Sequence, residues 1–246
     1  MMAHRMVEGL YAAVLVPRDS GGRLDERGFR RTVEFLVDRS VNRLVVNGAT
    51  GEYCLTPAEE LRRMLILCRE TLGRSGEILA GIGAAGMHGS LALAEVAQQQ
   101  GAGALLLPMP HYFPYAQDDL HAYCEAVARQ VDAPVLLYNL PKFTTGLSVS
   151  TALGLIASVP NIIGIKDSSG SLDILAALTA RGGGACRIVG DDSVLVEAIE
   201  QGVCDGVVSG VAGVLPELIG FLWSRRDSRQ TPALQDFSFT GIIYGK

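Results

Sequence analysis

The chain has no run of basic residues and no long apolar segment. Its 246 residues carry a formal net charge of −5, so a nucleic-acid partner is not expected. No apolar stretch approaches the roughly 20 residues that a membrane-spanning helix needs. The first residues, MMAHRMVE, lack the apolar core of a secretory signal. We therefore expect a protein without nucleic-acid or membrane partners.

Cysteine and histidine are few and scattered. An odd number of cysteines without a close pair argues against a disulfide framework and predicts reduced thiols in a cytoplasmic protein. Neither residue type shows the paired spacing of a zinc site. We expect no metal and no other cofactor. The cysteines are Cys54, Cys68, Cys124, Cys186 and Cys204, and the histidines are His4, His88, His111 and His121.

Lysine is also rare, and one of the three lysines stands in an unusual place. Lys142 follows a proline in a predicted loop and Lys246 is the last residue, whereas Lys166 closes the apolar run NIIGIK before the polar turn DSSG. Such a run predicts a strand buried on both faces. An amine partly removed from water loses its proton more readily, and the neutral amine attacks carbonyl carbons. The alternative is a strand-end lysine that extends to solvent; the neighbouring residues favour the reactive interpretation.

Short apolar runs alternate with longer amphipathic segments along the whole chain. Strands are predicted at 10–16, 43–47, 77–82, 104–107, 134–138, 162–166, 187–190 and 206–209. Helices are predicted at 25–41, 57–72, 90–100, 118–131, 150–158, 172–180, 193–201 and 216–223. The second helix has the clearest start, because Thr56 and Glu59 have the spacing of a capping box around Pro57.

This alternation predicts the α/β class. Eight strand–helix units in about 250 residues are typical of a (β/α)8 barrel, the TIM-barrel fold. A doubly wound open sheet also alternates strands and helices, but the number of units and the polar residues after the strands favour the barrel. The periodicity stops near the carboxyl terminus. We predict a barrel domain over residues 1–223 and a short atypical C-terminal tail over 224–246.

In such a barrel the active site lies at the carboxyl ends of the strands. The segment GATGE after the second strand places glycines around Thr50, which can direct backbone N–H groups at an anion; an ordinary glycine-rich turn explains it about as well. Tyr112 follows the fourth strand, Tyr138 ends the fifth and Lys166 ends the sixth. Two tyrosines and a lysine at successive strand ends predict proton transfer and imine formation.

Three segments together carry a resemblance to a known family. They are GATGE at 48–52, YNLP at 138–141 and GIKDSSG at 164–170. In residue identity, order and spacing they resemble the dihydrodipicolinate synthase/N-acetylneuraminate lyase family of class I aldolases. The resemblance extends over about residues 9–218. The resemblance implies that Lys166 forms a Schiff base with the keto carbon of pyruvate or another 2-keto acid. It also implies that Tyr138 relays protons to and from the aldehyde or hydroxyl end of the substrate.

The same resemblance implies roles for five further residues. Thr50 and the backbone N–H groups of Ala49 and Thr50 would hold the keto-acid carboxylate. Carbonyl groups near Gly190 and Val208 would face the substrate. Tyr112 aligns with a tyrosine that family members contribute across a subunit interface, which implies a homo-oligomer, a dimer or a tetramer.

The chain departs from the family pattern at three places. The family's synthases have an arginine shortly after the tyrosine motif, which holds a second substrate carboxylate, whereas the loop PKFTTG has no arginine and carries Phe143. Ala49 stands where many members have a hydroxyl residue that passes protons between the two tyrosines. The family's usual C-terminal helical extension is missing or replaced by the tail.

These observations predict a pyruvate-dependent class I aldolase or lyase that makes or breaks a C–C bond, on a 2-keto-3-deoxy sugar acid or a related compound, with an aldehyde as the second partner. One alternative is 4-hydroxy-tetrahydrodipicolinate synthase, which joins pyruvate to aspartate semialdehyde. Another is a truncated, catalytically impaired family member, which the tail and Ala49 suggest.

Three weaker motifs suggest other functions. GIGAAG at 81–86 has the spacing of a dinucleotide fingerprint for a nicotinamide or flavin cofactor, but the acidic residue expected about twenty positions later is missing. Asp191 and Asp192 could serve a metal or acid–base chemistry; we interpret one of them as a helix N-cap. The segment SGVAG from Ser209 could bind a phosphate, although no basic residue is near it in the sequence.

Overall fold

The structure, a computed structural model, describes residues 7–226. Eight strands alternate with eight helices in that part of the chain. The strands are β1 (Gly9–Ala13), β2 (Arg43–Val46), β3 (Glu77–Gly81), β4 (Ala104–Pro108), β5 (Val135–Asn139), β6 (Ile162–Asp167), β7 (Cys186–Val189) and β8 (Gly206–Ser209). The helices are α1 (Glu26–Val37), α2 (Ala58–Leu72), α3 (Met87–Gln99), α4 (Gln117–Ala128), α5 (Val149–Ser158), α6 (Asp173–Arg181), α7 (Leu195–Glu200) and α8 (Pro216–Ser224).

The strands form one closed parallel barrel. Each strand pairs with the next in chain order, and β1 also pairs with β8. Parallel pairing requires a crossover after every strand, and the helices supply these crossovers on the outside. The prediction of a (β/α)8 barrel is confirmed, and closure between the first and last strands excludes the open sheet.

Apolar side chains fill two layers. One cluster lies inside the barrel and includes Tyr11, Leu106 and Tyr138. A larger cluster lies between the strands and the helices, where α1 contributes Phe29 and Val33. Because both faces of the strands are covered, the strands read as continuous apolar runs rather than as alternating patterns.

The structure corrects several predicted boundaries. Strand β1 ends at Ala13 rather than at 16, and α1 ends at Val37 rather than at 41. The predicted capping box is wrong: α2 starts after Pro57 with no side-chain cap, and the Thr56 hydroxyl is buried without a hydrogen-bond partner. Pro57 itself keeps an extended backbone, with ψ of 158°, so the helix begins at Ala58 and Pro57 occupies the N-cap position in place of Thr56.

The last helix, α8, ends two residues before the end of the described region. The predicted domain boundary at 223/224 falls at the end of this helix, which closes at Ser224. Residues 227–246 of the predicted tail lie outside the described residues. No helix within residues 7–226 has both the length and the apolar character needed to cross a bilayer.

Candidate active site

Lys166 and Tyr138 lie side by side at the carboxyl ends of two neighbouring strands. They are register partners between β5 and β6, and only 3% of the Lys166 surface is exposed. The Nζ atom of Lys166 lies 3.9 Å from the centroid of the Tyr138 ring. Because an aromatic face attracts an ammonium group at this distance, the ring helps to hold the amine inside the barrel end. The predicted burial of the Lys166 strand is confirmed.

A cavity of about 350 Å³ opens above these two side chains. Its volume is in the range of small-ligand sites. Six of the seven predicted site residues line it, and they come from the ends of five different strands. They are Ala49, Thr50, Tyr138, Lys166, Gly190 and Val208. The structure therefore brings together residues that are spread over about 160 positions of the sequence.

Gly190 leaves the space through which the Lys166 side chain enters the cavity. A Cβ atom at position 190 would come within 2.8 Å of Lys166 Cε and closer still to Ser168 Oγ. The Gly190 N–H donates a 2.7 Å hydrogen bond to the Asp167 carbonyl, which fixes the loop beside β6. A larger residue at 190 would have to displace the candidate nucleophile.

The segment after β2 forms a tight turn at the wall of the cavity. Ala49–Gly51 is a 3-10 turn, and the first N–H groups of such a turn have no partner inside it. Asn47, just before the turn, has a left-handed backbone with φ of 61°. Its Nδ2 atom donates a 2.8 Å hydrogen bond to the Gly81 carbonyl, which anchors the turn to β3. This geometry suits the predicted binding of an anion.

Ser168 is a cavity residue that the sequence analysis did not single out. Its hydroxyl is buried, lies at the cavity wall beside Lys166, and has no hydrogen-bond partner among the described residues. A buried hydroxyl without a partner is costly in a folded protein unless a ligand or water bonds to it. Its position in the polar turn directly after Lys166 was the only signal in the sequence.

Two acidic residues after β7 also line the cavity, and they have different surroundings. Asp191 caps the turn before α7 by accepting the Ser193 N–H at 3.0 Å, which confirms the predicted N-cap. It also forms a 3.0 Å ion pair with Lys142, from the loop after β5. Burial acts to raise the pKa of Asp191, but hydrogen bonds from Ser193 and Lys142 outweigh it and leave the pKa lowered.

Asp192 instead joins the loops after β7 and β8. Its Oδ2 accepts the N–H groups of Gly210 and Val211, each at 3.1 Å, while Oδ1 is buried without a partner. Burial raises the pKa of Asp192, and the hydrogen bonds from this loop only partly oppose the shift. The cavity that Lys166 lines thus also carries an acidic side chain with unused bonding capacity.

Tyr112 does not reach this cavity within its own chain. Its side chain is 85% exposed and stacks edge-on against Phe113, with ring centroids 4.6 Å apart. The Tyr112 backbone is left-handed, with φ of 89°, an unfavourable conformation for a residue with a bulky side chain. This turn directs Tyr112 outward from the end of β4.

A second, largely apolar cavity of about 410 Å³ adjoins the first. The two share Ala49 and Phe143 as a common wall. Tyr53 and His111 lie on its inner side, and their rings meet edge-on with centroids 6.2 Å apart. The only other ionisable groups in its lining are the side chains of Glu52 and Cys54.

A larger cavity, of about 430 Å³, lies at the amino-terminal end of the barrel. Asp205 in its lining is already bound by the Arg187 guanidinium at 2.9 Å. That end of a barrel usually contributes stability rather than chemistry, so we place the candidate site at the Lys166 end.

The other motifs contribute no second site of this kind. The GIGAAG segment forms the loop between β3 and α3, and a Cβ on Gly83 would overlap the Tyr53 ring. Its glycines therefore allow close packing. Within residues 7–226, no three or more His, Cys, Asp or Glu side chains are grouped to hold a metal ion.

Comparison with known proteins agrees with this geometry. The model of the dihydrodipicolinate synthetase family matches residues 6–226. The 4-hydroxy-tetrahydrodipicolinate synthase of Rhodospirillum centenum is 32% identical over 94% of this chain and 80% of its own length. That of Nitratiruptor sp. is 35% identical over 88% and 74%.

A solved structure shares both the fold and part of the sequence. The chloride-inhibited dihydrodipicolinate synthase from Acinetobacter baumannii, complexed with pyruvate, superposes with a TM-score of 0.85 at 29% identity, over 93% of this chain and 79% of that one. The resemblance of the three sequence motifs is thereby confirmed. The chain belongs to the dihydrodipicolinate synthetase family and is a carbon–carbon lyase of the class I aldolase type.

Proposed function

We propose that Lys166 forms a Schiff base with the keto carbon of pyruvate or another 2-keto acid. The observation that carries the proposal is the position of this buried amine, which faces the cavity beside the ring of Tyr138. The neutral amine attacks the carbonyl carbon, the carbonyl oxygen leaves as water with the two amine protons, and the imine nitrogen takes up a proton from solvent. The imine then accepts electrons from the neighbouring carbon when C3 loses a proton or when a C–C bond at C3 breaks.

Tyr138 is the proposed proton carrier for the second half of the reaction. In the condensing direction the enamine carbon attacks an aldehyde, and the developing alkoxide takes the Tyr138 proton; cleavage runs the same transfer backwards. The keto-acid carboxylate would bind Thr50 and the N–H groups of Ala49 and Thr50. Carbonyl groups near Gly190 and Val208 would complete the binding site, and these four residues line the same cavity as Tyr138.

The proposed second substrate is a polyhydroxylated aldehyde, so that the complete substrate is a 2-keto-3-deoxy sugar acid or a related compound. Ser168 Oγ and Asp192 Oδ1 support this choice, because both are buried polar atoms without a partner. Sugar hydroxyls donate and accept hydrogen bonds and can satisfy both atoms. Lys142 is paired with Asp191, so a second substrate carboxylate would have to compete for it.

The second candidate is 4-hydroxy-tetrahydrodipicolinate synthase. The two relatives described above carry that name, and Lys142 is a cation at the cavity wall. Assays with pyruvate plus aspartate semialdehyde, and with a panel of 2-keto-3-deoxy sugar acids that release pyruvate, separate the two candidates. The preferred acceptor should exceed the other in kcat/KM by at least tenfold, about 1.4 kcal/mol of transition-state binding.

Borohydride reduction in the presence of pyruvate tests the Schiff base. We expect a stable pyruvyl adduct on the peptide that contains Lys166 and none on the peptide that contains Lys142. Lys166→Arg should abolish both the adduct and turnover while the folded protein persists, because an arginine keeps its proton. An unmodified Lys166 in folded protein would rule out the proposed chemistry. That outcome would favour the alternative of a catalytically impaired family member, and in that case no keto acid should raise the melting temperature of the protein.

We also propose that the chain works as a homo-oligomer, a dimer or a tetramer. Tyr112, Phe113, Leu55 and Phe143 are exposed apolar side chains, and Leu55 and Phe143 border the apolar cavity. Several large exposed apolar side chains at this end of the barrel are typical of an interaction surface. A second copy would cover this surface and bring its own Tyr112 towards the cavity.

A reducing, cytoplasmic location fits the five cysteines, all of them in the described region and all unpaired.

A further inference from the structure

Tyr138 needs a source for the proton that it loses in each turnover. Within residues 7–226 its hydroxyl makes no hydrogen bond, and its recorded ring contact is the one with Lys166. On the side of the apolar cavity, the shared wall is formed by Ala49 and Phe143, neither of which can carry a proton. A proton path to Tyr138 on this side therefore has to start from a group beyond that wall.

His111 is an acid–base side chain on the far side of that wall. It lies in the apolar cavity that shares Ala49 with the cavity of Tyr138. Its Nδ1 atom is enclosed and has no hydrogen-bond partner among the described residues. Buried ring nitrogens are usually bonded, so this atom is left available for a proton donor or acceptor in the cavity. Imidazole is also the side chain best suited to exchanging protons near neutral pH.

Tyr53 links the His111 ring to the cluster that contains Tyr138. It belongs to the same cluster inside the barrel as Tyr138, and its ring contacts the His111 ring edge-on. Burial, reinforced by the charges that Cys54 and Tyr138 would carry, raises the pKa of Tyr53 to about 12. The Tyr53 hydroxyl therefore keeps its proton and can act as a bridge that donates and accepts in turn, rather than as a store of protons.

We propose that His111, acting through Tyr53, returns the proton to Tyr138 and thereby replaces the hydroxyl that Ala49 lacks. This inference rests on the proposed function. After the alkoxide takes the Tyr138 proton, the phenolate recovers one from the Tyr53 side, Tyr53 recovers one from the His111 imidazolium, and the neutral imidazole takes one from solvent. Water, or the Tyr112 hydroxyl of a second copy, bridges the remaining distance. Cleavage moves the proton in the opposite direction.

The loop geometry explains why His111 faces inward. The left-handed backbone of Tyr112, with φ of 89°, reverses the chain directly after His111, so that Tyr112 points outward and His111 stays against Tyr53. Backbone strain of this type costs about 1–3 kcal/mol and is concentrated at functional sites. The strain thus maintains the two neighbouring side chains on opposite sides of the loop.

The test compares His111→Phe with His111→Gln, using His88→Phe as the matched control on an exposed histidine of α3. General acid–base groups contribute on the order of 100-fold or more to turnover, so kcat should fall about 100-fold in both His111 variants. KM for pyruvate and the yield of the borohydride adduct should stay within about twofold. Glutamine can hydrogen-bond but cannot carry a proton, which separates proton transfer from simple packing. His88→Phe should behave as the unmodified chain.

Rescue of the lost kcat by a second substitution provides a further test. Ala49→Thr restores a hydroxyl at the shared wall. In the His111→Phe background it should raise kcat at least about tenfold above that of His111→Phe alone. Unchanged kcat in His111→Gln, or a failure of Ala49→Thr to rescue a folded His111→Phe protein, would overturn the role of His111. If the unmodified chain forms no pyruvyl adduct, the Schiff-base proposal itself fails, so the two failures are distinguishable.

Discussion

The side-chain amide of Asn139 donates a 3.0 Å hydrogen bond to the carboxylate of Asp167. These residues directly follow Tyr138 and Lys166, so the bond ties together the strand ends that carry the two candidate catalytic groups. The Asn139 Oδ1 atom in turn accepts the Leu147 N–H at 3.0 Å. Burial raises the pKa of Asp167, although hydrogen bonds from Ser169 and Asn139 oppose the shift.

Replacing Asn139 with alanine should therefore affect both stability and catalysis. The change leaves a buried carboxylate and the Leu147 N–H without their partner, which costs about 1–3 kcal/mol for an unsatisfied group. Urea unfolding measures the loss, and kcat should fall because Tyr138 and Lys166 lose their common support. Asn161→Ala is the control. Asn161 donates to the Ala128 carbonyl at 2.7 Å at the other end of the barrel, so its loss should lower stability while kcat stays close to that of the unmodified chain.

Gly190→Ala should displace the nucleophile. The new Cβ atom would lie within 2.8 Å of Lys166 Cε, and overpacking of this kind costs about 1–3 kcal/mol. We expect at least a tenfold slower formation of the pyruvyl adduct, measured by mass spectrometry after borohydride quenching. Gly220→Ala in α8 meets no atom within 4 Å and should be neutral or stabilising by up to about 1 kcal/mol. Equal adduct rates in the two variants would contradict the assigned geometry.

Asp192 should make the stability of the protein depend on pH. Burial raises its pKa above the ordinary value of 3.8, so the folded state holds this proton more tightly than the unfolded state does. The stabilisation from the protonated form is complete below the unfolded pKa and is lost as the pH rises through the folded pKa. Asp192→Asn should remove this loss, so that its free energy of unfolding, relative to the unmodified chain, is higher at pH 7 than at pH 4.

Urea titrations at both pH values provide the measurement for Asp192→Asn. The control is Asp132→Asn, at an exposed position in the loop before β5. It should shift stability equally at the two pH values. A difference for Asp192→Asn that is no larger than for the control would mean that burial of the Asp192 carboxylate carries no cost.

The exposed apolar patch should control assembly. In sedimentation velocity we expect the unmodified chain, with a monomer mass of 26.1 kDa, to sediment as a dimer or tetramer. The double variant Tyr112→Ala/Phe113→Ser removes two apolar anchors and should shift the species to monomer, with a fall in kcat. Val149→Ser, on the exposed face of α5, serves as the control and should leave the assembly unchanged. A fully active monomer of the unmodified chain would argue against the shared site.

The strands and their ends could be predicted because burial on both faces leaves a distinctive pattern. Every predicted strand overlaps an observed one, and β8 has the predicted bounds. Helix starts were less predictable, since they depend on one or two residues of backbone geometry. Thr56 shows this: its sequence has the capping pattern, but the extended backbone of Pro57 moves the helix start to Ala58, one residue too far for Thr56 to be the N-cap.

Part of the cavity wall is formed by loops whose contacts join distant parts of the chain. Ser168 became recognisable only when its hydroxyl was found buried without a partner. Lys142 and Asp191 are 49 positions apart, and Asp192 bonds to the loop after the next strand. No local pattern encodes these pairings, because they arise from where the loops after β5, β7 and β8 meet.

The alternation of strands and helices, with Lys166 and Tyr138 at strand ends, follows from the amino-acid order alone, since apolar periodicity is a local property of the chain. Other features follow only from the three-dimensional packing. They are the closure of β1 against β8, the wall that Ala49 shares between two cavities, and the opposite directions of His111 and Tyr112. These features depend on the packing of segments that are far apart in sequence and on strained loop backbone, and neither leaves a periodic signature.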